Sequence, residues 1–232
     1  MSLRKEELLA CTIARLIGEA RHVAVGAASP IPATACFLLK ARGRALRVSI
    51  LQKRAGNPFT EGSRELFDLA GQGRIDVFFL GGAQIDGEAN INLVRAEGRR
   101  FPGSFGSAFM YFTCATVLFR EEHSRRVLVP RVEFISAPGW SPAEVARRGG
   151  PVALVTGKAF FRWQANERRF RLESVHPGHT PGEVREATGF DYDTGEVLQT
   201  PPPSGTELEL LRGPVAAQIA ADYPEFAKRV WS

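Results

Sequence analysis

Residues 81–94 read GGAQIDGEANINLV and set two glycines ahead of Gln84, Asp86, Glu88, Asn90 and Asn92 at alternate positions. Gly81 and Gly82 allow backbone angles and close approaches that a side chain would block. Asn and Gln supply donors and acceptors without charge. The combination suits a strand end that holds a polar ligand, and it equally suits a tight turn. A second stretch, RRFPGSFGSAF at 99–109, places Gly103, Ser104, Gly106 and Ser107 behind two arginines. Such a loop bares backbone N–H groups that bind phosphate or stabilise an oxyanion. The plainer alternative is a surface turn between strands.

Other motifs point to structure. His176 and His179 in HPGHTPGEV have the spacing of two metal ligands on a helix, but Pro177-Gly178 between them makes the segment a turn. Gly157-Lys158 is close to a phosphate-binding loop, yet Val152 stands where its first glycine belongs and Ala159 replaces the Ser/Thr. A hairpin turn is the reading there. Gly71-Gln72-Gly73 lacks the third glycine of a dinucleotide site. No G-x-S-x-G elbow is present, and the three cysteines, Cys11, Cys36 and Cys114, lie far apart. Neither a disulfide framework nor a bound metal is expected.

The elements that must carry these residues alternate. A helical face of Leu9, Ile13, Leu16 and Ile17 comes first, then strand His22–Val25, helix 33–41, strand Leu46–Leu51, helix 63–72 and strand 75–80. Strand–helix–strand alternation predicts a mostly parallel sheet with helices on its faces. After residue 110 the pattern changes. CATVLFR, RVLVPRVEFIS, PVALVTGKAFFRW and RRFRLESV read as strands joined by short turns, which predicts a β-rich, hairpin-built second half. TGFDYDTGEVLQTPPPSG reads as a connector, and 206–230 as a helical tail interrupted at Gly213-Pro214. No linker or repeat divides the 232 residues, so a single α/β domain over 1–232 is expected, an open three-layer sheet structure.

With 44% hydrophobic residues and no stretch approaching the roughly 20 apolar residues of a membrane span, the chain reads as a soluble, reduced, cytoplasmic protein without a membrane partner. Its net charge is +5, and arginine outnumbers lysine 25 to 5. The basic residues are scattered rather than interleaved with aromatics. Small phosphorylated ligands or an acidic partner therefore fit better than nucleic acid.

Five stretches in order, GGAQIDGEANIN, RFPGSFGS, FISAPGW, LVTGKAFFRW and HPGHTPGEVREATGFD, resemble the β subunit of family I CoA-transferases, the glutaconate type above all. The resemblance implies an open α/β fold, an acyl-CoA substrate, no cofactor beyond the CoA moiety itself, and a separate α-like subunit sharing the active site. It puts the Gly81-Gly82 strand end, with Gln84 and Asn90, at that site, and the loop Gly103, Ser104, Gly106 and Ser107 beside the acyl-CoA. Transferases of this family use a glutamate at the end of the second strand as nucleophile. Here that strand reads LRVSILQKR, so the position falls on Leu51 or Gln52, neither of them a carboxylate. Glu61, the nearest acid in the shortened loop that follows, precedes a helix. A ring-opening branch of the family, hydrolases of steroid-derived CoA thioesters, is similar in lacking the glutamate. CoA transfer between carboxylic acids is the first reading. Hydrolysis without a glutamyl-CoA intermediate, or a degenerate CoA-binding subunit, is the alternative.

Overall fold

The structure, a computed structural model, describes residues 3–51, 53, 59, 61–103 and 105–232. The chain runs α1 (Lys5–Ile17), β1 (His22–Val25), α2 (Pro30–Ala41), β2 (Arg47–Ile50), α3 (Ser63–Gly71) and β3 (Val77–Leu80). Four short strands follow, β4 (Gln84–Ile85), β5 (Ile91–Asn92), β6 (Arg95–Ala96) and β7 (Arg99–Arg100), then α4 (Ser107–Thr113). β8 (Ala115–Arg120), β9 (Gly150–Thr156), β10 (Ala159–Gln164), β11 (Arg169–Val175), α5 (Pro181–Ala187) and β12 (Asp193–Gln199) complete the middle of the chain. α6 (Gly205–Leu210), a π turn at Leu211–Val215, α7 (Ala216–Asp222) and α8 (Pro224–Trp231) close it. Although the sequence shows no linker, the contacts group the residues into two compact units, 1–79 with 201–232, and 80–200.

In the first unit β1 pairs in parallel with both β2 and β3. All four residues of β1 and of β3 are buried, the continuous apolar pattern of strands covered on both faces. Ile75, Val77 and Phe79, read as a buried strand, are 2%, 7% and 4% exposed. The order β2-β1-β3 reverses the direction of travel after β2. Right-handed crossovers therefore put α2 and α3 on opposite faces, which gives the three layers. Pro30 opens α2 at its first turn, where a missing N–H costs nothing.

Ions fix the C-terminal helices of this unit. Glu7 on α1 is fully buried, and Arg212 grips it with Nε–Oε1 at 2.7 Å and Nη2–Oε2 at 2.8 Å. Burial alone would push the Glu7 carboxyl up, but the Arg212 and Arg4 contacts hold it below the ordinary carboxylate value. Glu207 of α6 receives Arg42 at 3.2 Å and Arg15 at 3.8 Å. The interruption read at Gly213-Pro214 is the π turn, with Pro214 inside it.

The second unit departs from the hairpin pattern read in the sequence. β9-β10-β11 is an antiparallel meander, but β8–β9 and β11–β12 are parallel. Across both units, four of these ladders are parallel and two antiparallel, so the α/β, mostly parallel reading holds. Two local expectations fail. RVLVPRVEFIS is not a strand: Val127, Leu128, Val129 and Val132 are buried, the single bridge Ile85–Leu128 ties the stretch to the β4–β5 hairpin, and Phe134 and Ile135 are exposed. TGFDYDTGEVLQTPPPSG is not only a connector, because β12 lies within it and pairs with β11. Its exposed residues hid that strand from a reading based on apolar pattern. No described helix is long and apolar enough to cross a membrane.

The buried Glu7–Arg212 pair generates a stability prediction. Arg212→Met should cost about 3–5 kcal/mol at neutral pH, because it leaves a buried carboxylate uncompensated. The difference from the parent should shrink as pH falls and the orphaned Glu7 takes up a proton. Urea unfolding at pH 7 and pH 4.5 measures both.

Candidate functional site

Four of the five alternating polar residues of 84–92 are drawn inward, and Glu88 is exposed. Gln84, Asp86, Asn90 and Asn92 are each at most 4% exposed. Asp86 is the centre: its Oδ1 accepts the N–H of Glu88 at 3.1 Å and of Asn90 at 3.0 Å. Its Oδ2 accepts Asn90 Nδ2 and the Val132 N–H, each at 3.2 Å. Burial pushes the Asp86 carboxyl up, and these bonds pull it only part of the way back. Asn90 Oδ1 in turn accepts the Gly139 N–H at 3.1 Å. Gln84 donates to Glu133 at 2.9 Å while its Oε1 accepts Asn92 Nδ2 at 2.7 Å and the Glu133 N–H at 3.1 Å. The hairpin and the 127–139 segment are thus one hydrogen-bonded collar.

The glycines are required by close approach. A Cβ on Gly81 would lie 2.7 Å from Phe119 O, and one on Gly139 of the APGW stretch 2.0 Å from Glu88 O. Ala89 takes a positive φ of 60°, and the Tyr111 hydroxyl donates to its carbonyl at 2.9 Å. Arg147 lies 5.0 Å over the Tyr111 ring and donates to Pro138 O at 2.8 Å, bracing the collar from behind. Nothing in the spacing of Tyr111 or Arg147 marks them in the sequence.

Gln84 and Asn90, expected beside the ligand, spend their amide groups within this collar. In the expected loop, Gly103, Gly106 and Ser107 are half-buried. Gly103 and Gly106 adopt φ of +85° and +64°, Ser107 begins α4, and Phe105 is 79% exposed. In the first unit, Leu51 is half-buried just past β2, its N–H donating to Val25 O at 3.0 Å. Glu61 is exposed and paired with Arg64 at 3.6 Å. Gln52 and Ser104 lie outside the described residues. A cleft of about 720 Å³ adjoins the collar, lined by Glu88, Arg131, Arg168 and Phe190 among others. Arg168 lies 4.0 Å over the Trp140 ring there.

The histidines are structural. His176 bonds Thr200 Oγ1 at 2.8 Å and Thr156 O at 3.0 Å. His123 joins Thr156 Oγ1 at 2.7 Å to Thr188 Oγ1 at 2.9 Å. Burial, with help from the Lys158 charge, pushes His123 down to about 4. Lys158 itself sits in the β9–β10 turn, where its N–H and that of Ala159 donate to Thr156 Oγ1. No group of three or more metal-ligating side chains occurs among the described residues.

A family model for coenzyme A transferase matches residues 10–187. The B-type subunit of glutaconate CoA-transferase from Acidaminococcus fermentans is 29% identical over 148 residues, 59% of this chain and 55% of that protein. The B-type subunit of 3-oxoadipate CoA-transferase from Pseudomonas knackmussii is 34% identical over 161 residues, 64% of this chain and 62% of that protein. The match therefore spans less than two thirds of either relative's length. A cholesterol ring-cleaving hydrolase IpdB subunit from Mycobacterium tuberculosis is 29% identical over 167 residues, 68% of this chain and 66% of that protein. The crystal structure of the Acidaminococcus fermentans enzyme superposes with a TM-score of 0.81 at 22% identity, covering 91% of this chain and 94% of that one.

Two outcomes are expected. Asn90→Ala should lose about 1–3 kcal/mol of stability by stranding part of the Asp86 carboxylate and the Gly139 N–H, as read by chemical denaturation. His123 supplies a pH signature. Its folded value lies below the unfolded one, so the unfolded chain binds the proton first and stability falls as pH drops from about 6.5 toward 4. Replacing His123 with Gln should flatten that slope by up to about 1.4 kcal/mol per pH unit, measured by urea unfolding across the range.

Proposed function

The chain belongs to the coenzyme A transferase family, and from that premise we propose that it is the B-type component of a two-subunit complex acting on acyl-CoA thioesters. Its first reaction is CoA transfer between carboxylic acids. The observation that carries the reading is a loop in which Gly103 and Gly106 take positive φ and Phe105 is exposed, in the same compact unit as a collar whose amides and carboxylate are internally satisfied. Loop amides aimed at the thioester oxygen would stabilise developing negative charge, and one such donor contributes about 10²–10³ in rate. CoA is substrate, with no further cofactor, and an A-type subunit supplies the rest of the site.

One observation favours a second reaction at the same site. The position implied for the nucleophilic glutamate holds Leu51 or Gln52. A carboxamide cannot form the mixed anhydride that transfer requires. Hydrolysis of the thioester by water then takes its place, the acid and free CoA being the products. The likeness to a ring-cleaving hydrolase supports this branch.

The test is co-expression with an A-type CoA-transferase subunit, followed by incubation with acyl-CoA and intact-mass analysis. Hydrolysis predicts free CoA without an added acceptor acid and no CoA adduct on this chain. A covalent CoA adduct on Glu61, abolished by Glu61→Gln, would restore transfer. A complex that binds CoA without turnover would leave a degenerate subunit.

A further inference from the structure

The second unit carries a surface patch that neither the collar nor the 103–107 loop uses. The cleft of about 720 Å³ beside the collar is lined by residues of that unit. Its floor is fixed. Phe190 is 6% exposed, lies tilted against Phe170 with ring centroids 5.7 Å apart, and sits so near the hairpin tip that a Cβ on Gly87 would be 3.1 Å from the Phe190 Cβ. Part of its rim is held as firmly. Arg168 takes a positive φ of 52°, which costs free energy in a residue other than glycine, and its guanidinium lies 4.0 Å over the Trp140 ring. Ile135 also lines the cleft and is 46% exposed, and so is its neighbour Phe134.

The charges of this rim cancel. Arg131, Arg168 and Arg169 stand with Glu88, Glu167 and Asp191, on a chain whose net charge is +5. Two of the six are paired away from the cleft, Arg169 with Asp193 at 3.1 Å and Asp191 with Arg185 at 3.4 Å. Arg131 and Glu167 are exposed and enter no ion pair among the described residues. A small anion meets as much negative as positive charge here, and a small cation fares no better. A surface that offers both signs suits a partner that offers both. Two copies of a basic chain repel one another on average, and a neutral patch with an unpaired charge of each sign is where that repulsion is weakest. The shape is self-complementary too. Phe134 is an exposed knob next in sequence to a residue that lines the hole, so a two-fold rotation sets each knob over the other copy's hole and closes the contact.

We propose that this patch is a two-fold contact between two copies of this chain, with Phe134 of each copy seated in the cleft of the other and Arg131 of each facing Glu167 of the other. Exposed apolar side chains rimmed by charge, with arginine among them, have the composition of a protein interface. The contact stands without the acyl-CoA reading, because none of Arg131, Phe134, Ile135 and Glu167 is placed in the expected site. With an A-type subunit on each copy, it joins two such pairs into one particle.

The experiment uses the full chain, alone and co-purified with an A-type subunit, and reads particle mass by light scattering. Two copies of this chain per particle are expected. Ile135→Asp should raise the self-dissociation constant about tenfold or more. Arg131→Glu should weaken the contact as well, and Arg131→Glu with Glu167→Arg should restore it, since both ends of the pair reverse. All three side chains are exposed, so each variant should keep the parent's urea midpoint. Benzoylphenylalanine in place of Phe134, irradiated in an equal mixture of ¹⁴N and ¹⁵N chains, should give mixed-isotope cross-links to the segments that line the cleft, 86–90 and 189–191. One copy per particle in both preparations overturns the proposal. So do cross-links to the A-type subunit alone, or a double variant no tighter than Arg131→Glu. Failure of the unaltered complex to bind CoA by calorimetry would remove the acyl-CoA reading and leave this contact in place.

Discussion

A carboxylate moved out of water must recover its lost hydration from the protein, and Asp86 shows how much structure that demands. It collects two backbone N–H groups from its own hairpin, one from Val132 far along the chain, and the amide of Asn90. The desolvation penalty still exceeds what these bonds return, since the carboxyl remains above its ordinary value. Losing any one of them would leave the balance worse. That is why the hairpin, the 127–139 segment and the Asn90–Gly139 contact form as a set. The positive φ of Ala89 is tolerated because the Asp86 bonds on either side and the Tyr111 hydroxyl over-determine it.

The first unit uses charge differently. Glu7–Arg212 and the Glu207 contacts with Arg15 and Arg42 pin the C-terminal helices against α1 and α2. A buried ion pair adds little net stability over an apolar pair of similar shape, but it is costly to misalign. Its effect here is on register. With α6 and the π turn pinned, α7 ends where Asp222 meets Lys53.

Patterned apolar residues made β1, β2, β3 and their helices legible, because strands covered on both faces must be apolar throughout. β12 was not legible: its residues are exposed, and an exposed strand of Asp, Thr, Gly and Glu has no apolar signature. RVLVPRVEFIS misled for the opposite reason. Val127, Leu128, Val129 and Val132 are buried without a strand ladder while Phe134 and Ile135 are exposed, and an apolar run alone does not distinguish the two. The glycines and amides of 81–92 were found as a motif, but their duty within the collar follows from Phe119, Val132 and Gly139, which only the fold brings near. Lys53 and Asp222 stand 169 residues apart, so no spacing rule could have joined them.

These placements separate scaffold from chemistry. The stretches by which the chain resembles CoA-transferases include Gly81, Gly82, Asn90 and Gly139, which are fixed by close backbone approach and by hydrogen bonds inside the collar. Such residues specify how a loop is held, and any reaction run on that loop inherits them. The same scaffold then serves a transferase that needs a carboxylate nucleophile and a hydrolase that needs only an activated water. What distinguishes the two is a short list of groups at the strand ends, and past β2 the chain has Leu51 and Gln52 where a glutamate is expected. A motif match is strongest where function is least specific, so the reaction has to be read from the strand ends rather than from the motifs.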